Sequence, residues 1–150
     1  MSYKIEVQRE NGLFISEFGS DFLRGEEFDR YLQEIIDLNV MFDQDGRTQV
    51  YHLLRIDAAQ FDFPSMLQAL STIRQNKTMI ELRNRLQSMS IIVTTSPAVA
   101  QFIEAMLTQA NYGGRRITMF PTLETALEFI RFDQAQGQRI DTDLCSEEGA

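Results

Sequence analysis

Residues 89–130, MSIIVTTSPAVAQFIEAMLTQANYGGRRITMFPTLETALEFI, constrain the fold more than any other stretch, because they allow one order of elements: strand, helix, strand, helix. Ile91-Ile92-Val93 is β-branched throughout and too short for a buried helix, which predicts a strand over 90–95 covered on both faces. Ser96 then offers a hydroxyl N-cap, and Pro97 sits where a missing N–H costs nothing. Val99, Phe102, Ile103, Met106, Leu107 and Ala110 recur at helical spacing as one apolar stripe. Asn111-Tyr112-Gly113-Gly114 stops that helix, since glycine adopts the left-handed conformation after a helix end without a Cβ penalty. Ile117-Thr118-Met119-Phe120 predicts a second strand, and Pro121-Thr122 opens a helix with Leu123, Ala126, Leu127 and Ile130 on one side. Two strands joined by a helix in so few residues run parallel, because the connection is a crossover.

Upstream, Tyr3, Ile5 and Val7 alternate with Lys4, Glu6 and Gln8, and a second strand pattern spans 13–18. Asn11-Gly12 between them is a strong hairpin signal. Glu26, Glu27 and Asp29 crowd the start of a helix, where acids complement the positive end of its dipole. Phe28, Leu32, Ile35 and Ile36 carry its apolar face. Asp43-Gln44-Asp45-Gly46 ends the element; it lacks the further ligands and terminal glutamate of a calcium loop. Residues 50–56 predict a third strand ending at Asp57, and Pro64-Ser65 opens a helix with Met66, Leu67, Leu70 and Ile73. More helix follows over 74–87 after a break near Asn76, with Arg74, Lys77, Arg83 and Arg85 on its outer face. Such bases could touch anionic lipid, but an amphipathic core helix with a basic exterior is the commoner arrangement. The assembled order is ββαβαβαβα: an N-terminal antiparallel hairpin, then parallel crossover units, in a mixed α/β sheet packed with helices.

At 150 residues the chain has the length of one domain with a real core. No apolar run approaches the roughly 18–20 residues of a membrane helix. Met1-Ser2-Tyr3-Lys4 lacks the apolar region of a signal peptide, and the single Cys145 has no internal disulfide partner. A reducing, cytoplasmic location is therefore expected. A net charge of −8 and a pI near 4.6 argue against nucleic acid as a partner, since phosphate binding requires a basic surface. From residue 133 onward Asp133, Asp141, Asp143, Glu147 and Glu148 face only Arg139, five acids against one base, or −4. The expected organisation is one domain over 1–132 and an acidic, flexible tail over 133–150.

The element order, with Ser90-Ile91-Ile92-Val93-Thr94-Thr95-Ser96, the Gly113-Gly114-Arg115-Arg116 helix end and Phe120-Pro121-Thr122-Leu123-Glu124-Thr125-Ala126-Leu127, resembles the STAS domain superfamily. Within it the chain looks more like the SpoIIAA-like (STAS/SEC14-type) branch of small stand-alone bacterial proteins, over roughly residues 3–132. Asp57 matches the strand-end aspartate of the antagonist members. Their phosphorylatable serine motif is absent, the corresponding segment reading Asp62-Phe63-Pro64-Ser65-Met66. Ser65 lies close by and is the one phosphosite candidate that the resemblance leaves.

Two places emerge as candidate binding sites. Asp57, Phe61, Asp62 and Ser65 line the junction between a strand's carboxyl end and a helix start, where open α/β sheets gather ligands. A phosphate on Ser65 would meet the helix dipole favourably; a plain N-cap, with Phe61 and Phe63 filling the core, explains the same residues and is favoured for Ser65. Thr94, Thr95 and Ser96 form a hydroxyl cluster at a second helix start, readable as an anion site or as a cap with solvated neighbours, the cap being favoured. Arg115-Arg116 at the entrance to the last strand could meet an acidic partner, although such charge usually marks solvation.

His52 is the only histidine and lies within a strand, with no serine or cysteine that can be paired with it from sequence. No glycine-rich phosphate loop and no His/Cys metal spacing occurs. The expectation is a non-catalytic protein acting through protein–protein contact, a homodimer among its forms, with no cofactor, no metal, no nucleic acid and no stable membrane insertion. The alternative is a small-molecule or lipid-binding module of the SEC14 type, suggested by the likeness and by 11 Phe and 7 Met. An enzyme ranks below both.

Overall fold

A hairpin opens the chain, as Asn11-Gly12 implies. The computed structural model describes residues 3–19, 26–56, 64, 68, 71–73, 75–107 and 116–148, with 105–107, 116 and 137–148 in backbone alone. Strands β1 (Tyr3–Gln8) and β2 (Leu13–Phe18) pair antiparallel, from Gln8 opposite Leu13 to Tyr3 opposite Phe18. A single 3-10 turn, Arg9–Asn11, joins them, and Gly12 takes φ 62°, a region that L side chains avoid. A Cβ there would also lie 3.2 Å from the Gln49 carbonyl oxygen, so the tip excludes larger residues twice over. The Tyr51 amide donates to the Gly12 carbonyl at 2.8 Å, and Arg47 Nη2 donates to the carbonyls of Arg9 and Glu10 at 2.8 and 2.5 Å.

Helix α1 (Glu26–Gln44) starts on its three acids and buries Phe28, Tyr31, Leu32, Ile35, Asn39 and Phe42, a stripe at three- and four-residue spacing. The acids at and just after its C-terminal end are held by arginines. Arg9 grips both carboxylate oxygens of Asp45 at 2.7 and 2.6 Å, and Arg85 reaches Asp43 Oδ2 at 2.7 Å. The acid spacing that hints at a cation is thus accounted for by ion pairing. After β3 (Tyr51–Arg55), residues 64, 68, 71–73 and 75 are helical. Helix α2 (Lys77–Arg85) begins at the expected break, where Asn76 Oδ1 accepts from the Met79 amide at 3.0 Å. Strand β4 (Met89–Val93), helix α3 (Pro97–Leu107), strand β5 (Arg116–Phe120) and helix α4 (Leu123–Glu148) complete the order.

The five strands make one mixed sheet in the order β1-β2-β3-β4-β5, antiparallel at β1–β2 and parallel elsewhere. Register decides which side chains share a face. Phe14, His52 and Ser90 stand in one row and Ser16, Leu54 and Ile92 two residues on, so both rows point the same way. This face is covered by α1 and α2 through Phe14, Phe42, Leu86 and Met79, and by α3 through Val99, Phe102 and Ile103 against Ile92. The alternate residues Leu13, Ile15, Tyr51, Leu53, Met89 and Ile91 meet Ala126 and Ile130 of α4 on the other face. All of β4 is buried, as its Ile91-Ile92-Val93 run implies.

Helix α4 does not stop at residue 132. Its inward stripe passes from Ala126 and Ile130 to Asp133, whose Oδ2 accepts from Tyr51 Oη at 2.6 Å and Gln49 Nε2 at 3.0 Å. Gln134 Nε2 then donates to the Asn11 carbonyl at 2.7 Å. The acidic segment beyond continues in the same helix to Glu148.

Candidate functional site

Parallel pairing brings the carboxyl ends of the central strands together. The Ile56 amide donates to the Val93 carbonyl at 2.9 Å, and the Thr94 amide to the Phe120 carbonyl at 3.1 Å. Ile56 and Thr94, the residues that directly follow β3 and β4, therefore lie at one edge of the sheet. Asp57, Phe61, Asp62 and Ser65 lie outside the described residues; Thr94, Thr95 and Ser96 lie within them. The rim continues onto β2, where Glu17 and Arg55, register partners and both exposed in their side chains, form an ion pair.

The hydroxyl cluster at this edge divides into two roles. Thr94 Oγ1 accepts from the Ser96 amide at 3.1 Å, and the buried Ser96 Oγ accepts from the Val99 amide at 3.3 Å. Ser96 is thus the N-cap of α3, with Pro97 at the first helical position, and Thr94 fixes the turn that delivers it. Only Thr95 is exposed. Two of the three hydroxyls are committed to backbone donors that an anion would otherwise use, which supports the capping role over anion binding. Ser96→Ala should cost about 1 kcal/mol in a chemical-denaturation measurement, the usual loss for an N-cap serine. A change below about 0.3 kcal/mol would show that the cap adds nothing to the fold.

A second constellation lies inside the molecule and unites residues distant in sequence. Tyr31 Oη of α1 donates to Ser16 Oγ of β2 at 2.7 Å, and His52 Nε2 of β3 lies 2.9 Å from Ser16 Oγ and 3.1 Å from Tyr31 Oη. The His52 ring stacks on Phe14, centroids 4.2 Å apart. In the next strand Arg83 Nη2 donates to Ser90 Oγ at 2.5 Å. Burial, and then the Arg83 charge, hold His52 well below its ordinary pKa, so the imidazole is neutral at pH 7. Burial likewise pushes the Tyr31 phenol above its ordinary value.

A serine hydroxyl beside a neutral imidazole has the composition of an activated nucleophile. Access decides otherwise: Ser16 is 0% exposed and Tyr31 6%, so an external carbonyl cannot reach Ser16 Oγ. The group satisfies its own buried donors and acceptors beneath α1. Sequence reasoning missed it because Ser16 and His52 are 36 residues apart and a parallel register, not a local pattern, makes them neighbours. The one available signal was that Ser16 falls on the inward parity of β2, among Phe14 and Phe18.

The strand order never reverses, so no neighbouring parallel pair sends its crossovers to opposite faces. The crevice in which open α/β sheets hold their ligands is not created in that way here. Among the described residues no group of three or more His, Cys, Asp or Glu is placed to hold a metal ion, and no helix is long and apolar enough to cross a membrane. In comparisons with known proteins, the chain matches no protein family, no curated protein and no solved structure.

Proposed function

We propose that the chain is a STAS-like protein of the SpoIIAA-like kind, acting without catalysis through protein–protein contact in the cytoplasm. The contact face in this reading is the carboxyl edge of β3 and β4. One observation carries the choice of face: the bond from the Ile56 amide to the Val93 carbonyl, which sets the end of β3 at the same sheet edge as the turn that carries the exposed Thr95. Binding residues concentrate on loops held by a rigid scaffold, and two loop starts sharing one edge supply a surface wider than either. The burial of Ser16 supports the non-catalytic part, since the chain's single histidine, itself part-buried, is hydrogen-bonded to a serine that no substrate can reach.

The test is affinity capture from a bacterial lysate with the immobilised protein and a Phe61→Ala/Asp62→Lys variant. The wild type should retain a specific partner, and the variant should retain it at least about tenfold less well, as befits loss of a central contact. Glu124→Lys, an exposed change at the start of α4, should leave capture intact. Equal retention by wild type and loop variant removes the proposed face. A lipid or small molecule that survives purification and registers in native mass spectrometry would favour the SEC14-type carrier instead.

A further inference from the structure

Among the described residues strand β1 ends the sheet, and its outer edge carries Tyr3-Lys4-Ile5-Glu6-Val7. Lys4 and Glu6 are exposed on one face, and Val7, on the other, is 41% exposed, one of two large apolar residues in the described chain left so open. From this pattern we infer that β1 pairs antiparallel with β1 of a second copy of the chain, Ile5 opposite the Ile5 of its twin, to join two sheets into one. The inference deepens the interaction reading by naming one partner. It does not depend on the loop face, which lies at the carboxyl ends of β3 and β4.

Symmetry and charge select the register. In an antiparallel pair, directly opposed residues point to the same face, so a strand meeting its own copy about a two-fold axis must place some residue opposite itself. Centring on Lys4 sets two lysines face to face, and centring on Glu6 sets two glutamates face to face; like charges directly opposed are destabilising. Centring on Ile5 opposes Lys4 to Glu6 twice. It also sets Val7 against Tyr3 twice, covering the exposed valine with a residue that is otherwise buried. Registers centred further along the strand pair fewer residues, because β1 ends at Gln8. A lysine on an edge strand ordinarily deters pairing. Here its glutamate two residues on turns that deterrent into a code for one partner and one register.

Sedimentation equilibrium over about a hundredfold range of concentration reads the result directly. The wild type should form a dimer that weakens in about 1 M salt, where charge pairs are screened. Lys4→Glu and Glu6→Lys, each opposing like charges at both ends of the pairing, should each weaken self-association by about tenfold or more. The double swap Lys4→Glu/Glu6→Lys should restore it. A wild type that stays monomeric at the highest concentration overturns the inference, as does a dimer indifferent to the single reversals or a swap that fails to rescue. Should a single variant fail to fold, amide exchange over residues 3–7 of the wild type decides. Exchange slower in concentrated than in dilute protein supports the pairing, and exchange independent of concentration refutes it. Loss of lysate capture with the dimer intact would count against the loop face alone.

Discussion

Phe14→Ala is expected to destabilise the protein by about 3–5 kcal/mol, the range for emptying a buried aromatic site. Phe14 is 1% exposed and occupies the centre of the sheet face under α1. Its ring lies between two others, stacked on His52 at 4.2 Å and on Phe42 at 6.2 Å between centroids. Truncation removes the transfer free energy of the ring and leaves a cavity bounded by a strand and a long helix, neither of which can collapse into it cheaply. Domains of this size are stable by only about 5–15 kcal/mol, so the variant would lie close to the unfolding threshold at 37 °C. Phe14→Leu, which keeps most of the volume, should cost much less, about 1–2 kcal/mol. Urea unfolding with an unchanged slope is the measurement. A loss under about 1 kcal/mol for the alanine variant would mean that the α1 face is not packed as described.

The elements that the chain discloses in advance are those whose signals are local. The apolar Ile91-Ile92-Val93 run, the Ser96-Pro97 start and the Asn76 break each became the strand, cap or helix boundary that their chemistry implies. The Asn11-Gly12 hairpin is present, but the chain spends Arg9–Asn11 on a 3-10 turn, so that only Gly12 needs positive φ. What local signals could not disclose depends on register. Nothing near His52 in sequence announces Ser16 or Tyr31, and pairing Phe14 with His52 is a property of two strands joined through a long helix. Asp133 is an intermediate case. Composition assigns it to an acidic tail, while its position three residues after Ile130 and seven after Ala126 puts it on the inward stripe of α4, where Tyr51 Oη donates to it. One inward polar residue with a partner does not end a helix. Of the 57–65 junction only residue 64 is among the described residues, so Asp57, Phe61, Asp62 and Ser65 stand on the sequence alone.

The second large effect is on pH. Stability should fall as pH drops from about 7 toward 5, with a slope approaching about 1.4 kcal/mol per pH unit, and should level off above about 7.5. His52 is the cause. In the unfolded chain its imidazole takes up a proton near the ordinary value of about 6.5. In the folded chain burial resists the charge, and Arg83 adds repulsion. As pH falls through about 6.5 the unfolded state therefore binds more protons than the folded one, so acid favours unfolding; about one unit or more above that value neither state binds one, and the dependence disappears. As the chain's only histidine, His52 has this window to itself among side chains. Asp45, held below the usual carboxylate range by Arg9, loses its contribution only at more acid pH, and Tyr31, raised by burial, matters only in alkali. His52→Phe keeps a ring for Phe14 to stack on and leaves Tyr31 Oη bonded to Ser16 Oγ. It should flatten the profile between pH 5 and 7 in urea-unfolding measurements, whatever it does to the absolute stability. Persistence of the wild-type slope in that variant would assign the titration to another group, and would leave the neutral His52 at the centre of the Ser16–Tyr31 cluster without thermodynamic support.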